Sequence, residues 1–127
     1  MKSATRMIAT VIAVGIVTPL PAALAKNPRD VRVAGTCTGS STAKIKLSPD
    51  NGRIEVEFGV DQNRNGVSWK WGLARNGKTV ASGKAITKAP SGSFDVRRVL
   101  SNATGPDRIT FRASRANGEV CTARATF

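Results

Sequence analysis

Histidine and tyrosine are absent from all 127 residues, cysteine occurs twice, and 8 Asp and Glu stand against 20 Lys and Arg. Without histidine the commonest general base, the commonest transition-metal ligand and most nucleophile triads are gone. The polar residues that remain make poor substitutes. Ser41-Thr42-Ala43-Lys44 spells S-x-x-K, a dyad that depends on a helical turn, whereas on a strand residues i and i+3 point to opposite faces. Glu55 and Glu57 share a strand face, as a glycosidase pair would require. The lysines expected opposite them, Lys46 and Lys44, would lower both pKa values, the reverse of what a general acid needs. Asp61, Asn63 and Asn65 ahead of Gly66 match the first half of a calcium loop. The position reserved for its bidentate glutamate is Gly72, and Arg64 brings a positive charge inside. No catalytic residue, cofactor or metal is therefore expected, and the chain reads as non-enzymatic.

Long hydrophobic runs are also missing, with one exception at the N-terminus. Met7 to Val17 is apolar, follows Lys2 and Arg6, and gives way to Pro19, Pro21 and Ala23-Leu24-Ala25. That is the order of a cleavable export signal, and the run is well short of the roughly 20 residues that span a bilayer. The sequence predicts a signal peptide over 1–25 and one secreted, extracellular domain over 26–127. Export leads to an oxidising compartment, where the only two cysteines, Cys37 and Cys121, pair. Closing so long a loop stabilises the fold by roughly 4 to 5 kcal/mol in the chain-entropy description.

Within the domain the apolar residues recur with period two. Ala43, Ile45 and Leu47 alternate with Lys44 and Lys46, and Ile54, Val56 and Phe58 alternate with Glu55 and Glu57. Pro49 to Gly52 reads as the turn between them, pairing Leu47 with Ile54, Ile45 with Val56, Lys46 with Glu55 and Lys44 with Glu57. Val67, Trp69, Trp71 and Leu73 form a second such face, and Asn76-Gly77 predicts a two-residue turn setting Leu73 against Val80. Gly83 reads as a bulge, and Arg97-Arg98 as a break in the strand that begins at Phe94. In the last pair, a three-residue loop at Ala116-Asn117-Gly118 sets Phe111 against Ala123 and Ala113 against Cys121. With Val31 to Thr36 as a first strand, the chain holds about eight short strands with frequent turns, the pattern of an all-β, two-sheet antiparallel β-sandwich of immunoglobulin-like shape. A small closed barrel is the competing architecture.

Positive charge is what the chain has in excess, a formal +12. Lys44, Lys46, Lys70, Arg108, Arg112 and Arg124 fall on outward phases, with Arg97 and Arg98 at the expected strand break. Such a surface attracts polyanions, whether a cell-wall polymer or nucleic acid, through counterion release and steering. Trp69 and Trp71 share the phase of core residues, and Trp71, nearer the turn, is the candidate for stacking a ligand.

Several stretches are similar to those of uncharacterised small secreted proteins of high-GC Gram-positive bacteria. These are Gly35-Thr-Cys-Thr38, Asp50-Asn-Gly-Arg-Ile-Glu-Val-Glu57, Val60-Asp-Gln-Asn63 ahead of Gly66 and Trp69, Ala89-Pro-Ser-Gly-Ser-Phe94, and the late Cys121. The resemblance covers most of the chain after the signal and implies a secreted immunoglobulin-like sandwich, without assigning catalytic residues. Two functions are compatible with this reading: a module contacting a polyanion or a protein through its basic surface, or a small-ligand carrier or secreted inhibitor on the same fold.

Overall fold

The computed structural model describes residues 29–127; the expected signal peptide, 1–25, lies outside them. Among the described residues nine strands follow one another: β1 (Val31–Ala34), β2 (Thr36–Cys37), β3 (Thr42–Asp50), β4 (Arg53–Asp61), β5 (Ser68–Arg75), β6 (Lys78–Ile86), β7 (Ser93–Ser101), β8 (Arg108–Arg115) and β9 (Val120–Thr126). Two antiparallel sheets result, ordered β1-β3-β4-β7 and β2-β9-β8-β5-β6. The inward phase of each strand supplies the core, with Ile45, Leu47, Val56 and Phe58 meeting Trp69, Trp71, Leu73 and Phe111. Phe58 lies at the centre, its ring 5.2 Å from Trp71 and 4.3 Å from Phe111. This is the expected two-sheet sandwich. It is not a closed barrel, because β6 and β7 each pair on one side only. The four-stranded sheet receives β1 first and then, after β2 has joined the other sheet, the β3–β4 hairpin, with β7 added beside β4.

The extra strand comes from Gly35. Val31 to Thr36 does not run as one strand: β1 pairs with β3, and β2 pairs with β9. The crossing is tight enough that a Cβ on Gly35 would lie 2.4 Å from the Thr122 carbonyl oxygen, so only glycine lets the chain change sheets there. Beyond it, Cys37 stands opposite Cys121 with Cα atoms 4.0 Å apart, and the two form the expected disulfide.

The first hairpin is shifted by two residues from the expected register. Leu47 pairs with Val56, Ile45 with Phe58, Lys46 with Glu57 and Ser48 with Glu55, leaving Lys44 opposite Gly59. The cause is the turn, which is Asn51-Gly52 alone with φ of 51° and 80°, the left-handed pair of a two-residue hairpin. Pro49 and Asp50 are strand. In such a hairpin the Asp50–Arg53 pair next to the turn exchanges hydrogen bonds and the Pro49–Ile54 pair does not, so proline's missing N–H costs the ladder nothing. A two-residue shift keeps every side chain on its face, and the core therefore forms as the alternation predicts.

Three other phase expectations are also corrected. The register of β5–β6 shifts between Leu73 and Ala74, which puts Leu73 opposite Ala81 and leaves Val80 exposed as the extra residue. Gly83 is in regular register opposite Trp71, whose indole would be only 2.9 Å from a Cβ there. That glycine makes room for a ring and marks no bulge. Strand β7 runs unbroken along β4, so Arg98, opposite Val56, takes the inward phase and Arg97 and Val99 the outward one. The last hairpin is as expected, with Phe111 opposite Ala123, Ala113 opposite Cys121, and Gly118 at φ 93°.

Candidate anion-binding face

The two sheets present outer faces of different electrostatic character. On the four-stranded sheet cations and carboxylates interleave. Lys46 holds Glu57 at 2.9 Å, Lys44 lies 3.5 Å from Asp95, Arg32 lies 3.5 Å from Asp30, and Arg97 is paired with Glu55. The hydrogen bond from Lys46, together with its charge and that of Arg97, keeps the Glu57 carboxyl below the usual glutamate range. The two-residue shift thus exchanged partners, giving Lys46 to Glu57 and Arg97 to Glu55, without emptying the face of its pairs.

On the five-stranded sheet the outward positions of β5, β6, β8 and β9 include Lys70, Lys84, Arg108, Arg112 and Arg124, all exposed. None of the five makes an ion pair among the described residues, and no carboxylate shares their face. The carboxylates nearest this sheet in sequence, Asp107 and Glu119, are buried. Arg75 binds Asp107 at 2.8 Å and Arg115 binds Glu119 at 2.8 Å, so both are already neutralised.

The register sets the spacing. Lys70 is directly opposite Lys84 on β6 and Ser114 on β8. Arg112 is one row on, between Gly72 and Thr122, and Arg124 one row further, opposite Thr110. Lys70, Arg112 and Arg124 therefore descend diagonally across three neighbouring strands, at the roughly 7 to 8 Å of diagonal sheet neighbours. Lys70, Thr79, Arg112 and Ser114 border a shallow trough of 310 Å³ that Gly72 and Ala74 also line. A Cβ on Gly72 would meet nothing within 4 Å, so the trough stays open because that position has no side chain.

The expected anion contacts thus divide. Lys70, Arg108, Arg112 and Arg124 share one face; Lys44, Lys46 and Arg97 are on the other, engaged by carboxylates; Arg98 is at the flank where β6 and β7 approach. Lys84 belongs to the first group and was not foreseen, because its phase depends on where β6 shifts register. Trp71 is a core residue, 5% exposed, with the Arg98 guanidinium 5.0 Å from its ring centroid. Trp69 is buried, donates its Nε1–H to Gln62 Oε1 at 2.9 Å and lies beneath Arg115.

The calcium-like segment is a polar turn. The Asp61 carboxylate accepts the Asn63 amide at 3.2 Å, Asn63 adopts φ 64°, and Arg64 gives its carbonyl to the Thr87 hydroxyl at 2.6 Å. Cys37, Cys121 and Glu119 bring potential ligand atoms within 4.8 Å of one another. The two sulfurs are bonded to each other and Glu119 already accepts from Ser41 and Arg115, which leaves this group nothing with which to hold a metal. Among the described residues no helix is long and apolar enough to cross a membrane. Comparison with protein-family models, curated proteins and solved structures finds no match for the chain.

Proposed function

We propose that the protein is a secreted, non-enzymatic module that binds an extended polyanion on the outer face of its five-stranded sheet. The observation that carries this reading is the unneutralised set Lys70, Lys84, Arg108, Arg112 and Arg124 on one face of a molecule whose opposite face pairs its charges. Like charges directly opposite each other on a sheet are destabilising, and Lys70 and Lys84 are placed so without a carboxylate nearby. A surface selected only for solubility has no need of that arrangement, because interspersed signs achieve it more cheaply. Between the cations the face is small and hydroxylated, with Ser82, Thr110, Ser114 and Thr122, and its large apolar residue, Ile86, stands at the far end of β6 opposite Ser68. It has no aromatic ring on which a base could stack. A polymer held there is recognised through its regularly spaced anionic groups and its hydroxyls, as an anionic wall polymer offers.

The test compares variants of equal net charge. Lys70→Gln/Arg112→Gln and Lys44→Gln/Lys46→Gln each remove two positive charges, one pair from each face. Retention on a heparin-type matrix should fall sharply for the first and stay near wild type for the second. Equal losses would mean that net charge alone governs retention, and the reading would be wrong.

A further inference from the structure

The sandwich is open along one flank, where β6 and β7, the edge strands of the two sheets, approach without pairing. A cleft of 820 Å³ runs along this flank, lined among others by Trp71, Ala85, Ile86, Phe94, Val96 and Arg98. That volume falls within the range of small-molecule sites. We propose that it binds a small amphipathic anion, an aliphatic chain ending in a carboxylate, with Arg98 taking the head group and the apolar lining taking the chain.

Three observations point to this occupant. Arg98 is a charged residue on a core-facing phase, opposite Val56. Its guanidinium lies over the Trp71 ring, and its Nη1 donates to the Arg97 carbonyl at 2.9 Å. It makes no ion pair among the described residues, so the fork that matches a carboxylate is available. The second observation is the charge around the cleft. Lys84 and Lys88 also line it, and its one carboxylate, Asp95, has Lys44 at 3.5 Å. The third is apolar surface left in water. Ile86 is 53% exposed, one of only two large hydrophobic side chains so placed among the described residues.

This inference shares Lys84 with the polyanion face but turns on Arg98, which is not part of that face, and the experiment keeps the two apart. Dodecanoate, below its micellar concentration, is titrated into the purified protein while tryptophan emission is followed. Trp71→Phe assigns the signal, because Trp69 is buried beside Gln62. Wild type should show a saturable change, whereas dodecyltrimethylammonium, with the same chain and opposite charge, should show none. Arg98→Gln should weaken dodecanoate by about tenfold or more, the usual loss for a hydrogen-bonded charge. Arg98→Lys should recover part of it, and Lys70→Gln/Arg112→Gln should bind as wild type does. Equal titrations by the two detergents, wild-type binding by a folded Arg98→Gln, or no saturable change would each overturn the proposal. So would unchanged binding accompanied by self-association of Arg98→Gln, which would make the arginine a guard against edge pairing.

Discussion

Glu119 shows how a single buried side chain is held ionised. Burial pushes its carboxyl up, but the Ser41 amide at 3.0 Å, the Arg115 guanidinium at 2.9 Å and the Ser41 hydroxyl at 3.1 Å together outweigh that and hold it below its ordinary value of 4.5. A carboxyl that titrates lower when folded than when unfolded binds fewer protons in the native state, so its contribution is complete above the unfolded value and is lost as the pH falls through the folded one. Glu119 ties the end of the β8–β9 hairpin to the start of β3. We therefore expect unfolding free energy, measured by denaturant titration, to decline as the pH drops below about 4.5. Glu119→Gln should lower stability at neutral pH by about 2 kcal/mol, since it leaves Arg115 without its counter-ion, and should flatten the acid limb. An acid limb as steep as wild type would assign the effect to other carboxylates, Glu57 among them.

At the scale of the elements, what the sequence made legible was face, and what it concealed was register. Strict alternation placed Ile45, Leu47, Val56 and Phe58 inside whichever two-residue register was chosen. The turn that decides among registers was hidden because Pro49 and Asp50 look like turn residues. In the β8–β9 loop a two-residue Asn117-Gly118 turn would set Arg112 against Ala123 and mismatch the faces, so the alternation itself selects the three-residue loop and the pairing was readable to the residue. Arg98 was read as an interruption because charge is rarely assigned to an inward phase; at an edge strand the flank is open and the guanidinium reaches water over Trp71. Lys84 was missed for a related reason, since a bulge at Val80 and a glycine at position 83 give similar signals in one dimension. The hairpin argument has a direct check. Gly52 at φ 80° suits glycine and strains a β-branched residue, so Gly52→Val should cost about 1 kcal/mol or more in thermal or chemical unfolding. Pro49→Val, at a strand position that needs no N–H toward β4, should cost little. If Pro49→Val proved the more damaging of the two, the turn would lie where the sequence first suggested.

Across the whole molecule the distribution of charge matters more than its sum. Asp30, Asp50, Glu55, Glu57, Asp61 and Asp95 belong to the four-stranded sheet or its approach, and the remaining two carboxylates are buried in ion pairs. The sandwich therefore has one neutralised side and one cationic side. Since screening reduces the influence of charges beyond about 8 to 10 Å at ordinary ionic strength, a polyanion meets the two sides as different surfaces. The disulfide fastens β2 to β9 at the margin of the cationic sheet, and the β8–β9 pairing sets Arg124 one row from Arg112. The number of cations engaged is itself measurable. With duplex DNA as a charge probe, a footprint of five cations predicts that log K falls against log salt with a slope of about −4.5. Removing Lys70 and Arg112 should reduce that slope by about 2, and removing Lys44 and Lys46 should leave it unchanged. A wild-type slope near −9 would show that both sheets contribute, and a slope insensitive to Lys70 and Arg112 would move the contact off this face altogether.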